Sequence, residues 1–252
     1  MTKKAKNSKY IRTGETYDYD LFVIPAHQRD RNERNIKRVM ESIKEHKIIS
    51  AVSVRPSIEY PGKYEPYDGQ HVITACKRLG VAVVYNVFKD VSNKAMISLN
   101  GKSGLKWKLQ DYLKWGVVDG IGSYNFLNNV YKEEKIPLTA LIMMYGGTYG
   151  NKAFKELDWK ALQVVRGQHM MRYIKDFEKT YNIKHSRFAR FIWGLGKVYD
   201  SGKYNHKRMM KQLSRCSQLL TKQANPRDYA KNIQEVYNFG RKDKDRVQFT
   251  QK

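Results

Sequence analysis

Strand-like runs stop at Asp90. Before it, segments rich in β-branched and aromatic residues alternate with helical spacing; from Trp107 onward apolar residues recur only at helical intervals. A chain patterned this way cannot build one sheet along its whole length. It reads as an α/β unit followed by a helical one. The 252 residues leave room for one large domain or two small ones, and 41% hydrophobic residues suffice for a core.

Residues 1–13 carry Lys3, Lys4, Lys6, Lys9 and Arg12 with almost no apolar pattern. They read as a basic flexible arm, bounded at 1–15. Residues 20–25 read as a first strand. From Glu33, apolar Ile36, Val39, Met40 and Ile43 fall at i, i+3, i+4 and i+7, which predicts an amphipathic helix. Residues 48–55 read as a strand closed by Pro56, and Pro61-Gly62 marks a turn. Residues 63–67 are extended, and Asp68-Gly69 makes a tight turn. A helix starts at His71, with Val72, Ile73, Ala75, Cys76 and Leu79 apolar and Gly80 as its stop. Residues 81–88 form the last strand, giving the order β-α-β-β-α-β.

A strand, a glycine turn and a helix N-terminus put backbone N–H groups beside Gly69, Gln70 and His71. Such a turn can hold a phosphate or another anion, and can equally be only a turn. The run Asp68-Gly69-Gln70-His71, followed by Ala75 and Leu79-Gly80, resembles the DGxHR box of the ParB/sulfiredoxin superfamily. Ile24-Pro25-Ala26-His27-Gln28-Arg29 resembles that superfamily's first box, and residues 35–46 and 48–56 resemble the helix and strand that follow it. The resemblance covers residues 19–90. More weakly, the remainder is similar to ParB-like "nuclease domain" proteins of phage and plasmid genomes. There a WxLxDY segment, here Trp107 to Tyr112, opens a helical half ending in a Tyr-Asn motif, here Tyr237-Asn238.

The resemblance implies an α+β protein: a ParB-like α/β domain over 16–92, a small mixed sheet with helices, and then an all-α, basic domain over 93–252. It implies that Arg29, Gly69, Gln70 and His71 bind a nucleotide phosphate, and that Asp68 and His71 are the catalytic candidates if the unit is an enzyme. CTP or ATP with Mg²⁺ is the cofactor it suggests. Two departures matter. Val72 stands where the family pattern has Arg, so Arg29, Lys77 or Arg78 would have to supply the missing positive charge. The sulfiredoxin branch is excluded, because its reactive Cys position holds Gln70 and Cys76 lies inside the following helix.

The helical half reads as short helices at 109–118, 124–131 and 137–145, the last almost wholly apolar and therefore buried. Residues 94–99 suggest another short helix. A longer helix spans 160–180. Residues 186–200 follow with Ser186 as cap and an apolar stripe of Phe188, Phe191, Ile192, Leu195, Val198 and Tyr199. Asn205 caps a helix over 205–213, and Asn225-Pro226 opens the last one, whose buried side is Tyr229, Ile233, Val236 and Tyr237. Tyr173, Phe177 and Phe188, at helical spacing, read as core.

Charge narrows the partners. Forty-eight Lys+Arg against 24 Asp+Glu give a formal net charge of +24, which calls for a polyanion. Double-stranded DNA is the leading partner and a nucleotide the second. An anionic membrane is disfavoured, since no run approaches 18 apolar residues and no lipidation motif occurs. The sequence is compatible with an oligomer. The basic residues crowd into 184–222, where Asp200 is the sole acid. Arg187, Arg190, Lys197, Lys207, Arg208, Lys211 and Arg215 lie there, and Arg241 and Lys242 follow the last helix. These nine are the candidate phosphate contacts. Without a signal-like apolar run, the expected location is the cytoplasm of the host cell.

Zinc-type ligation is disfavoured, since there is neither a Cys pair nor His-x₃-His, and no metal ligand is assigned. Cys76 and Cys216 read as buried thiols. The leading reading is a ParB-like DNA-binding protein of a phage or mobile element, nucleotide-responsive, acting in DNA regulation, partition or genome handling. One alternative is a metal-dependent nuclease, or a nucleotide hydrolase or phosphotransferase, using the DGQH turn with Asp30, Glu33 and Asp68 as carboxylates. Another is a phage protein that binds an acidic host protein.

Overall fold

The computed structural model describes residues 10–26, 28, 30–89, 91–92, 107–148 and 150–249. The fold is α+β, a small mixed sheet with helices followed by an all-α remainder. It divides into two compact units, Met1–Asp119 and Gly120–Lys252. Residues 94–99 and most of the expected arm lie outside the described residues.

The first unit is a four-stranded sheet: β1 (Tyr10–Thr16), β2 (Val52–Pro56), β3 (Tyr64–Asp68) and β4 (Val83–Phe88), in the spatial order β1-β4-β2-β3. β4 runs parallel to β2 and antiparallel to β1, while β2 and β3 form an antiparallel pair. The expected arm is thus corrected from Tyr10 on. Its basic and polar side chains suit an edge strand, because only one backbone edge of β1 is paired and its side chains stay largely exposed. The strand expected at 20–25 is also corrected. Tyr19–Leu21 is a 3₁₀ turn, capped by the Asp18 carboxylate accepting from the Asp20 N–H, and only Phe22 bridges to Tyr64. An Asp whose carboxylate accepts from the N–H two residues on competes with strand pairing for the backbone.

Helices α1 (Glu33–His46) and α2 (Gln70–Leu79) carry the rest of that unit's core. Asn32 caps α1 by accepting from the N–H groups of Arg34 and Asn35. Ile36 and Ile43 are buried, with Val39 and Met40 beside them, against Val52, Val54, Ile73, Val83, Tyr85 and Val87. Along β4, residues 83, 85 and 87 point inward and their neighbours do not, the period of two that a half-buried strand requires. Each such Val or Ile contributes about 1.5–3 kcal/mol on burial. Helix α3 (Leu109–Val118) groups with this unit. Trp107 packs on Tyr112 and Trp115, and the Asp111 carboxylate accepts from the Lys108 N–H, so the WxLxDY residues form a helix start.

The second unit contains α4 (Gly122–Glu134), α5 (Leu138–Gly146), α6 (Lys152–Lys155), α7 (Val164–Tyr181), α8 (Ala189–Asp200), α9 (His206–Cys216) and α10 (Pro226–Tyr237). As expected, α5 is buried almost all round. Asn205 and Asn225 cap α9 and α10 as expected. Ser186 does not cap α8: it is buried in a 3₁₀ turn and its hydroxyl donates to the Ile174 carbonyl. Phe188 is likewise corrected from core to surface, because the helix begins after it and its ring is 43% exposed. Tyr173 and Phe177 are buried. Helices α8 and α10 approach at Gly194, where a Cβ would lie 2.7 Å from the Tyr229 Cβ and 2.9 Å from the Pro226 carbonyl oxygen.

Both cysteines are free and buried, and burial pushes both thiols up. Among the described residues no helix is long and apolar enough to cross a membrane.

Candidate nucleic-acid interface

Five of the nine candidate phosphate contacts meet at one place. Arg208, Lys211 and Arg215 lie along α9, and Arg241 and Lys242 lie in the segment beyond α10. Together they line an open groove of about 680 Å³. Spacings of three and four residues put the first three on one face of α9. The segment after α10 reaches that face because of the Tyr237-Asn238 pair. The Asn238 amide donates to the Val247 carbonyl and accepts from the Val247 N–H, as a paired strand would, while Gln234 accepts from the Phe249 N–H. Phe249 then packs on Tyr237 and Tyr204. The chain from 239 to 246 is thereby pinned, and its Arg241 and Lys242 line the groove with α9.

The cations of the groove rest on aromatic faces. The Arg208 guanidinium lies 5.2 Å and that of Arg241 5.9 Å from the Tyr237 ring centre, and Arg215 stands 5.9 Å from Phe239. Cation–π contacts of this kind hold a guanidinium in place without neutralising it. Among the described residues, none of the five enters an ion pair. Asp245 also lines the groove, but the contact it makes to Arg241 Nη1 is through its backbone carbonyl, at 2.6 Å.

The other four candidates divide. Arg190, Lys197 and Lys207 are exposed but do not line the groove. Arg187 is committed to structure: it pairs with Glu178 at 2.7 Å and donates to the Glu134 carbonyl. The sole acid of the basic stretch, Asp200, is engaged by Arg166, a buried arginine that also donates to the carbonyls of Met143 and Met144 at the end of α5. Sequence reading passed over Arg166, Gln212 and Phe239. For Arg166 there was a signal, a basic residue beside Gly167 in an otherwise apolar helical stripe.

The Gly69 turn of the first unit has the expected shape. β3 enters α2 through Gly69 at φ +90°, and a Cβ there would lie 3.0 Å from the Val52 side chain, so both the backbone and the space call for glycine. Gln70 and His71 follow it directly in the first turn of α2. Asp68 is exposed and accepts from the Gly69 N–H at 2.9 Å. His71 Nε2 accepts from the Asn32 N–H at 3.2 Å, which ties α2 to the cap of α1. Gln70 is buried in the first turn of α2. Lys77 sits two turns further along, paired with Asp20 at 3.3 Å and too distant to serve the turn. Arg29 lies outside the described residues.

The proposed carboxylates do not share a site. Asp30 pairs with Lys114 at 2.6 Å and Glu33 with Arg78, and each carboxyl is held below its ordinary range by the hydrogen bond from that cation. Among the described residues no group of three His, Cys, Asp or Glu side chains could hold a metal ion.

No protein-family model matches this sequence, and no curated protein matches it. Among the solved structures that resemble it are two of the C-terminally truncated chromosome-partitioning protein ParB from Caulobacter crescentus. One, complexed with CTP-gamma-S, is 14% identical with a TM-score of 0.32, over 81% of this chain and 99% of that one. The other, complexed to the centromeric parS site, is 13% identical with a TM-score of 0.35, over 87% of this chain and 96% of that one. Likeness at this level carries no argument about ligands, so function has to be read from the side chains.

Proposed function

We propose that the chain is a DNA-binding protein that grips the phosphate backbone through the groove between α9 and the segment beyond α10. The observation that carries this reading is the convergence of Arg208, Lys211, Arg215, Arg241 and Lys242 on one concave surface of a +24 chain. Cations that no acid neutralises displace condensed counterions when they meet phosphate, and that release supplies most sequence-independent affinity. Titration of a labelled DNA at several salt concentrations tests it. Affinity falls steeply with salt, and Lys211→Ala or Lys242→Ala each flattens the log–log slope by about 1. Slopes that neither variant changes would remove the groove from the interface.

A second reading, a ParB-like nucleotide response at the Gly69 turn, is favoured by the strand–glycine–helix geometry with its left-handed Gly69. The sequence resemblance gives it its content: CTP or ATP with Mg²⁺, in regulation, partition or genome handling of a phage or mobile element. Binding of labelled CTP and ATP with and without Mg²⁺ decides it. Nucleotide binding that Gly69→Ala abolishes supports the reading, and no binding of either nucleotide makes the turn a scaffold.

A further inference from the structure

Two residues that line the groove each bury a polar atom without a partner, and the two atoms are of opposite kind, so a phosphate alone does not satisfy both. Gln212, one turn beyond Arg208 on α9, is 7% exposed; its amide nitrogen donates to the Phe239 carbonyl at 3.2 Å, and its Oε1 has no hydrogen-bond partner. That donor contact fixes the amide's orientation, since a flip would set oxygen against oxygen. Oε1 therefore awaits a donor. Arg208 Nε is also buried without a partner and awaits an acceptor. A buried polar atom left unmade costs about 1–3 kcal/mol, so two of them flanking one groove are an incomplete site. A phosphate oxygen answers Arg208 and not Gln212. The edge of a nucleobase, which sets an N–H beside an acceptor atom, answers both.

Phe239 supplies the third part. Phe239 lines the groove and is 39% exposed, the place of an aromatic side chain on which a base stacks. The shape decides between paired and unpaired nucleic acid. Reading a duplex requires side chains that project into its major groove, whereas atoms buried within the residues of a concave surface cannot reach the edges of stacked, paired bases. Resting on the reading that this groove binds nucleic acid, we propose that it takes up one unpaired nucleotide of a single-stranded segment. The base stacks on Phe239 with its edge toward Gln212 Oε1 and Arg208 Nε, and the flanking phosphates lie on Lys211, Arg215 and Lys242. These two side chains, Gln212 and Arg208, shift to meet the base, since neither atom is open to solvent beforehand.

The test is fluorescence anisotropy on the full chain with a labelled single strand, the same strand containing abasic sites, and its duplex, at two salt concentrations. The wild type is expected to bind the single strand at least tenfold more tightly than the abasic strand. Phe239→Ala, a change at an exposed ring, is expected to cost about tenfold on the single strand and less than twofold on the duplex. Gln212→Met, close in volume, is expected to show the same selectivity, and Phe239→Leu guards against a folding artefact. Equal binding of the intact and abasic strands, or equal losses on strand and duplex, overturns the unpaired-base proposal and leaves phosphate binding standing. Binding to neither strand nor duplex overturns both.

Discussion

The first unit and the α9 groove both carry positive residues, and they differ in what those charges already touch. In the first unit, Lys77 meets Asp20, Arg78 meets Glu33 and Lys114 meets Asp30. In the groove, Arg208 and Arg241 flank Tyr237, Arg215 stands over Phe239, and no ion pair holds any of them among the described residues. A cation with a carboxylate at 3 Å presents little net field to a phosphate, while one braced by a ring keeps its whole charge. The difference teaches that net charge locates a polyanion site only after local pairs are subtracted. The Arg166–Asp200 pair works the same way within the basic stretch, since it removes that stretch's one acid.

The sharpest way to break the contrast is to spoil the packing behind one site alone. Gly194→Val would drive a branched side chain into Tyr229 and the backbone of Pro226 and Ala230, where α8 meets α10. The expected cost is about 3 kcal/mol or more, because backbone cannot move aside as a side-chain tip can. Hydrogen exchange should show lost protection in α9 and α10 with β4 unchanged, together with loss of DNA binding. Loss of protection in β4 as well would mean that the two units do not unfold separately.

Next in size is the charge comparison itself. Arg215→Ala is expected to weaken DNA binding about tenfold at low salt and to flatten the salt slope by about 1. Lys77→Ala removes the same charge from the chain but leaves the already exposed Asp20 unpaired, so binding should change less than twofold. Equal effects from the two would show that total charge, and not the groove, governs affinity.

Much of this was legible in the sequence, for physical reasons that differ by element. Helix α1 announced itself by its apolar stripe, and α9 and α10 by their Asn caps, because both are local signals: Asn205 and Asn225 each accept from backbone N–H groups within three residues. The strand–Gly69–α2 turn was legible because glycine there answers a backbone need. β1 was missed, since an exposed edge strand buries no face and keeps the composition of a tail. The groove was half legible. Its cations were visible as a cluster, but no local pattern says that Asn238 would clamp Val247 and swing Arg241 and Lys242 toward α9. Gln212 and Phe239 matter only through that long-range arrangement.

A smaller effect separates the units by pH. Burial holds His206 and His185 below the usual histidine range; the Asp176 carboxylate partly opposes this at His206, while Lys222 reinforces it at His185. Since the unfolded chain takes up these protons near pH 6.5 and the folded one only at lower pH, their contribution is present above pH 6.5. It is lost as pH falls through the folded values. Urea midpoints followed at α9 should drop between pH 7 and 5, and His206→Gln should reduce that drop. An unchanged slope in the variant would assign the pH response to other groups.

The smallest expected difference bears most directly on whether the Gly69 turn is scaffold or site. Asn32→Ala removes the side-chain cap of α1 but keeps the backbone N–H that His71 accepts, so it should cost about 1 kcal/mol in the first unit. Asn225→Ala removes the matching cap of α10 and should cost about as much in the second. His71→Ala instead leaves the Asn32 N–H without that acceptor, at about 0.5–1.5 kcal/mol. If the turn is scaffold, Asn32→Ala and His71→Ala lower the stability of the first unit, by hydrogen exchange at α1, and leave DNA affinity unchanged. Only a site would turn either loss into a change in nucleotide or DNA affinity larger than the change in stability explains, because a scaffold can transmit no more than the free energy it loses.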